Sequence, residues 1–185
     1  MHVIFLSNDP VNSVVVNKDT REVLYNIVTP FSLMTHKTTI YDRQGQEVAY
    51  YKRRTLEPDE IRLRGRVLDV SGWLQREGVF SNSRRFTAPN GRTYKWKELG
   101  GSSKFQLVDV QTRQTVALSY GSRIGIFSSP RDMGIEVSDA LISILDAIVL
   151  SFIIMEQKRR ERRRSSGNSA MFAAQTSAAA AGAAC

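Results

Sequence analysis

The stretch Ser138-Asp-Ala-Leu-Ile-Ser-Ile-Leu-Asp-Ala-Ile-Val-Leu-Ser-Phe-Ile-Ile-Met155, followed by Glu156-Gln-Lys-Arg-Arg-Glu-Arg-Arg-Arg164, decides the fold. Ser138 and Asp139 suit a helix start, where side-chain oxygens cap backbone N–H groups and a negative charge meets the positive end of the dipole. Lys158, Arg159 and Arg160 suit the other end for the mirrored reason. Asp139, Ser143 and Asp146 recur at i, i+4, i+7 and give the first two turns a polar stripe. From Ala147 to Met155 only Ser151 is not apolar. At about 100° per residue such a run is greasy on every side, the mark of an enclosed helix or of a membrane span.

Length and topology favour enclosure. The apolar run from Ala140 to Met155 is about 24 Å long at 1.5 Å per residue, short of a ~30 Å hydrocarbon core. Asp146 sits near its middle, where a carboxylate costs roughly 2.5–3.5 kcal/mol, although ten Leu, Ile, Val and Phe side chains offset that. No signal peptide precedes the run, and a cytosolic N-terminus would force the arginine cluster across the bilayer, against the positive-inside rule. The competing reading, a membrane-anchored protein with 140–155 as its span, needs the strand-rich part to cross instead.

Everything before the helix reads as strands and turns. Expected strands are His2–Leu6, Val11–Asn17, Glu22–Val28, His36–Tyr41, Glu47–Arg53, Arg84–Thr87, Arg92–Lys97, Lys104–Val110, Gln114–Tyr120 and Arg123–Ser128, with turn signals every 8–12 residues. Glu60–Val67 alternates strictly, placing Ile61, Leu63, Gly65 and Val67 on one face and Arg62, Arg64 and Arg66 on the other. Leu68–Leu74 is less regular, Gln75–Asn82 reads as a loop, and Pro130–Gly134 as a break into the helix. In Thr93–Lys97 the aromatics Tyr94 and Trp96 alternate with cations and are expected to face inward. A sandwich fills its own core, whereas a barrel of this strand number has a lumen to fill. The expected fold is therefore mainly β: a closed antiparallel barrel of about 11–12 strands around the helix. Residues 1–158 form this domain, with the helix at about 138–158. Residues 159–185 form a basic, then Ser/Ala-rich, disordered tail.

Several stretches resemble an uncharacterised fungal family, common in basidiomycetes, of the Tubby C-terminal-like superfamily. They are Asn8-Asp9-Pro10, Thr29-Pro30-Phe31, Thr38-Thr39-Ile40 and, most specifically, Arg85-Phe-Thr-Ala-Pro-Asn-Gly-Arg-Thr-Tyr-Lys-Trp-Lys97. The resemblance covers residues 1 to about 158. It implies a strand barrel around a hydrophobic C-terminal helix, the plan shared by Tubby, LURP-one and phospholipid scramblase proteins. It implies no activity, transfers no phosphoinositide-binding residue from Tubby, and brings no acid-rich calcium loop.

The functional expectations follow from charge and from missing motifs. The net charge of +8 divides evenly: residues 1–155 carry +4, and the segment from Glu156 onward carries six Lys/Arg against two acids. Cys185 is the only cysteine, which excludes an internal disulfide and a thiolate cluster and fits a reducing compartment. Two histidines, His2 and His36, have no metal-ligand spacing, and no nucleophile elbow, P-loop or dinucleotide fingerprint occurs. No catalytic residue, metal or cofactor is assigned. The expected function is a non-enzymatic intracellular binding module, monomeric and cytoplasmic, peripheral to a membrane or nuclear. The candidate site for an anionic phospholipid head group is Arg62, Arg64 and Arg66 with Lys52, Arg53 and Arg54; the bland reading is a solvated face of paired ions. Lys158, Arg159, Arg160, Arg162, Arg163 and Arg164 form a basic tail contact for anionic lipid, or a nuclear-import patch. Nucleic acid is disfavoured, because inward aromatics leave no stacking platform.

Overall fold

The computed structural model describes residues 1–33, 35–78, 81–100, 104–121 and 133–181, with side chains as far as Ser166. Its strands are β1 (His2–Phe5), β2 (Ser13–Asn17), β3 (Val23–Val28), β4 (His36–Asp42), β5 (Glu47–Arg53), β6 (Glu60–Leu63), β7 (Arg66–Asp69), β8 (Gln75–Arg76), β9 (Arg84–Thr87), β10 (Thr93–Glu98), β11 (Phe105–Asp109), β12 (Thr115–Tyr120) and β13 (Met133–Val137). One helical turn, α1 (Val70–Trp73), separates β7 from β8. A 3₁₀ segment, Asp139–Ile144, leads into α2 (Leu145–Ala181).

All thirteen strands belong to one antiparallel sheet in the order β7-β6-β5-β4-β3-β2-β1-β13-β12-β11-β10-β9-β8. The edges, β7 and β8, are neighbours in sequence. Laid flat, thirteen strands would hold their edges about 58 Å apart at 4.8 Å per strand. The six steps from Asp69 to Gln75 span at most ~21 Å, so the sheet must curl until its edges approach. It does not close. Pairing stops at β7 and β8, and the expected closed barrel gives way to a seam occupied by α1. The Val70 N–H bonds the Asp59 carbonyl at 2.8 Å beside one edge, and the Trp73 indole N–H bonds the Thr87 carbonyl at 3.3 Å beside the other. β8, only two residues long, pairs with β9 and not with β7.

The core follows the expected alternation in most strands. Tyr94 and Trp96 are fully buried, and so are Ile61, Ile40, Phe105 and Ile135. Every residue from Leu145 to Met155 is buried. Five consecutive buried residues, Ala147–Ser151, cover every side of a helix. The Trp96 indole on β10 donates to Ser151 Oγ at 2.8 Å, which in turn donates to the Ile148 carbonyl at 3.0 Å. Arg64, on the other limb of the sheet, holds Asp146. Both limbs thus grip the first turns of α2.

The chain divides into two compact units, Met1–Ser151 and Phe152–Cys185. Within the second, the helix continues past Lys158–Arg160, read from sequence as its end, to Ala181. Alanine has the highest intrinsic helix propensity, and the segment is rich in it.

Three sequence expectations need correction. Glu60–Val67 is two strands joined by Arg64-Gly65. Pro130–Gly134 is not a simple break: its last two residues open β13, which pairs with both β1 and β12. Gly134 is there because a Cβ would stand 2.5 Å from the Tyr120 hydroxyl and 2.6 Å from the Val3 carbonyl oxygen. Ser138 makes no side-chain cap; Asp139 instead accepts a hydrogen bond from the Met1 amino group at 2.8 Å, which holds its carboxyl below the usual range. The expected strand Arg123–Ser128 lies outside the described residues.

Candidate functional site

The turn at Arg64-Gly65 rearranges the arginine row. Both residues have positive φ, 49° and 79°, the requirement of a two-residue type I′ hairpin. The register pairs Leu63 with Arg66, Arg62 with Val67 and Ile61 with Leu68. Residues directly opposite share a face. Arg66 and Leu68 therefore share the face of Leu63 and Ile61, and Val67 that of Arg62, although all four residues of β7 are exposed at the edge of the sheet. The three arginines do not form a row: one is outside, one is in the turn, one is on the inner face of an edge strand.

Arg62 is committed. It pairs with Glu47, which also takes Lys37 Nζ at 3.1 Å. Both cations lie over the Tyr50 ring, at 4.4 Å for Lys37 and 5.2 Å for Arg62. The Tyr50 hydroxyl donates to Glu60 at 2.5 Å, and Arg54 pairs with Glu60 and Glu57. Lys37, Arg62 and Arg54 thus face Glu47, Glu60 and Glu57 in a charge-neutral network on the outer surface. The Tyr50 hydrogen bond, with the charges of Arg54 and Lys52, holds the Glu60 carboxyl below its usual range. Burial works to raise Glu47, but its hydrogen bonds to Arg62 and Lys37 prevail and hold it low. For Arg62 and Arg54 the solvated-face reading is the one that fits.

Arg64 reaches α2. Its Nε lies 2.7 Å from Asp146 Oδ2, and its Nη2 lies 2.9 Å from Asp146 Oδ1 and 2.5 Å from the Ser143 carbonyl. Arg66 has no ion pair or hydrogen bond among the described residues.

Lys52 and Arg53 end β5, where Lys52 is in register with Lys37 and Arg53 with His36. The loops at this end of the sheet carry a feature that was not singled out in the sequence. Phe31 and Leu33, between β3 and β4, are 91% and 89% exposed, and Leu56, between β5 and β6, is 97% exposed. Because β4 and β5 are neighbours, the two loops adjoin. Single exposed apolar residues are ordinary, but three large ones almost wholly in solvent on adjacent loops make this end of the sheet a candidate contact surface. Lys52 and Arg53 lie at the end of β5 that leads into the Leu56 loop, and Arg54 beside them is held by Glu57 and Glu60.

In the second unit, Glu156 receives Arg159 through two hydrogen bonds, at 2.8 and 2.5 Å, and Arg160 at 2.7 Å. Two of the six cations of the basic cluster thereby share one carboxylate, which offsets a single charge.

Residues 8–161 match the family described as "Family of unknown function (DUF6593)". The chain belongs to DUF6593. The match takes in all thirteen strands except β1, with the 3₁₀ segment and the first turns of α2. No curated protein and no solved structure matches this DUF6593 chain. No helix among its described residues is long and apolar enough to cross a membrane, so the reading of 140–155 as a span is set aside. Part of that stretch is 3₁₀ helix, and the α-helical apolar run, Leu145–Met155, is about 16 Å long at 1.5 Å per residue.

Proposed function

We propose that the chain is a non-enzymatic module that docks on anionic phospholipid surfaces through the loop end of its sheet. Phe31, Leu33 and Leu56 enter the head-group boundary, and Lys52 and Arg53 meet phosphates beside them. The observation that carries this reading is the 89–97% exposure of the three tips. Fully burying such side chains contributes roughly 1.5–3 kcal/mol each. A cation near an anionic surface contributes about 1 kcal/mol. Apolar insertion therefore dominates, and charge supplies a preference among lipids. The curled sheet gripping the first turns of a buried C-terminal helix supports placing the chain in the Tubby C-terminal-like superfamily, with the seam in place of barrel closure.

Vesicle co-sedimentation of the full chain tests the proposal, using phosphatidylcholine vesicles with and without phosphatidylserine or phosphoinositide. The wild type pellets, more with anionic lipid, and replacing the tips together (F31S/L33S/L56S) abolishes pelleting. Equal pelleting of wild type and triple variant sinks the reading.

A further inference from the structure

The seam between the two sheet edges holds a cavity of about 880 Å³. Leu63, Leu68, Trp73, Ala88 and Pro89 supply its apolar walls, and Arg64 and Arg66 stand among them. Its lining takes in Arg64 of the β6–β7 turn and Ala88, Pro89 and Gly91 of the β9–β10 turn, both at the end of the sheet opposite the Phe31, Leu33 and Leu56 loops. Its volume lies in the range of pockets that take small molecules, ~300–1,000 Å³, and its make-up, apolar walls with few polar groups, is theirs too.

The turn at Arg64-Gly65 is what gives the cavity its cation. It places Arg66 on the same face as buried Leu63, but on an edge strand whose four residues are all exposed, and Arg66 has no ion pair or hydrogen bond among the described residues. Arg64 also lines the slot, but its charge and hydrogen bonds are committed to Asp146 and the Ser143 carbonyl, which leaves Arg66 as the cation for a ligand. Asp69, the other charged lining residue, lies three positions along β7 toward α1, about 10 Å from Arg66 at 3.3 Å per residue. The charges are thus graded along the slot: cationic at the turn end, acidic at the α1 end.

We infer that the seam binds a single-chain amphiphile with an anionic head, a carboxylate or phosphate monoester, whose head pairs with the Arg66 guanidinium and whose hydrocarbon lies along Leu68 and Trp73. Arg forms bidentate hydrogen bonds with either head group, and α1, the only helical turn in the seam among the described residues, supplies the aromatic floor. A plainer role for Arg66 is an inward-pointing charge that keeps the β7 edge from pairing with another copy.

The test uses the full chain and four probes below their aggregation concentrations: laurate, dodecyl phosphate, dodecanol and brominated laurate. Titration calorimetry should show laurate or dodecyl phosphate binding, and the stronger of the two names the head group. Dodecanol should bind at least tenfold more weakly. Brominated laurate should quench the fluorescence of the wild type and lose that effect in W73F, because Trp73 lines the slot and Trp96 does not. R66A should weaken binding at least tenfold with an unchanged melting temperature, and R66K should recover part of it. Binding of neither anion, or equal binding of dodecanol, overturns the inference. So does an R66A chain that self-associates while binding laurate normally, which would make Arg66 an edge guard alone. Because F31S/L33S/L56S leaves the slot intact, it should bind the probes as the wild type does, so failure at the loops and failure at the seam are read separately.

Discussion

Arg64 and Asp146 are 82 residues apart in sequence and form a two-point ion pair, Nε to Oδ2 at 2.7 Å and Nη2 to Oδ1 at 2.9 Å. The pair ties a hairpin turn to the first turn of α2. It also gives a non-glycine residue a reason to occupy the left-handed region, a conformation that costs roughly 1–2 kcal/mol.

The two partners should respond unequally to removal. The Asp146 side chain is 10% exposed and that of Arg64 is 46% exposed. R64A strands a nearly buried carboxylate and should cost about 2–3 kcal/mol, below the 3–5 expected for a wholly buried pair because one partner meets water. D146N leaves an arginine that can turn to solvent, and should cost about 1 kcal/mol. R64G loses the pair but relieves the backbone, so it should be less damaging than R64A. Urea melts of the three variants check this order; equal losses would mean that the pair is an ornament of the turn.

Ser151 is the one polar residue between Ala147 and Met155, and its place is explained by Trp96. S151A should leave the buried indole N–H without an acceptor and cost about 1–3 kcal/mol. W96F/S151A should cost less than the two single changes summed, since it removes donor and acceptor together. Chemical denaturation of the four chains in the cycle measures the coupling.

Gly134 should tolerate no side chain. In G134A the new methyl group meets the Tyr120 ring and the backbone of β1, and only the ring can move. A loss of about 3 kcal/mol or more is expected. Y120A/G134A should not restore the melting temperature, because the Val3 carbonyl remains in the way.

Acid should loosen the outer network. Glu47 and Glu60 both titrate below their usual range in the folded chain. Groups lowered in this way stabilise the fold fully above the unfolded carboxylate pKa, and that contribution is lost as pH falls through the folded one. Stability should therefore decline on acidification, with a shallower slope in E47Q. Melting temperatures across the acid limb, for wild type and E47Q, read the difference; identical slopes would remove Glu47 as a contributor.

Much of the fold was legible because burial is periodic. Tyr94 and Trp96 alternate with Thr93, Lys95 and Lys97 and are buried as expected. The all-round apolar character of Ala147–Ser151 announced an enclosed helix. What escaped was local. Arg-Gly is a rare spelling of a two-residue turn, and it falls where strict alternation continues unbroken through the letters. The count therefore ran straight through the hairpin and put Arg66 on the wrong face. Gly134 reads as punctuation next to Pro130, although it marks a close approach inside a strand. The seam could not be foreseen, because strand count does not say whether edges meet.

The site was less legible than the fold. Phe31, Leu33 and Leu56 look like any core residue in sequence; only their exposure distinguishes them. Cations announce themselves as letters, but Arg62 and Arg54 turned out to be spoken for by Glu47, Glu57 and Glu60, which lie on neighbouring strands and loops. Partnering across a sheet depends on register, and register is fixed by turns.

Insertion depth at Leu33 tests the membrane proposal most directly. An L33W chain, mixed with anionic vesicles whose acyl chains are brominated near the glycerol backbone, should show blue-shifted and strongly quenched emission beyond that of the wild type, and moderate salt should change this little. Unshifted, unquenched emission from chains that still pellet with the vesicles would place the contact elsewhere and contradict insertion by the loop tips.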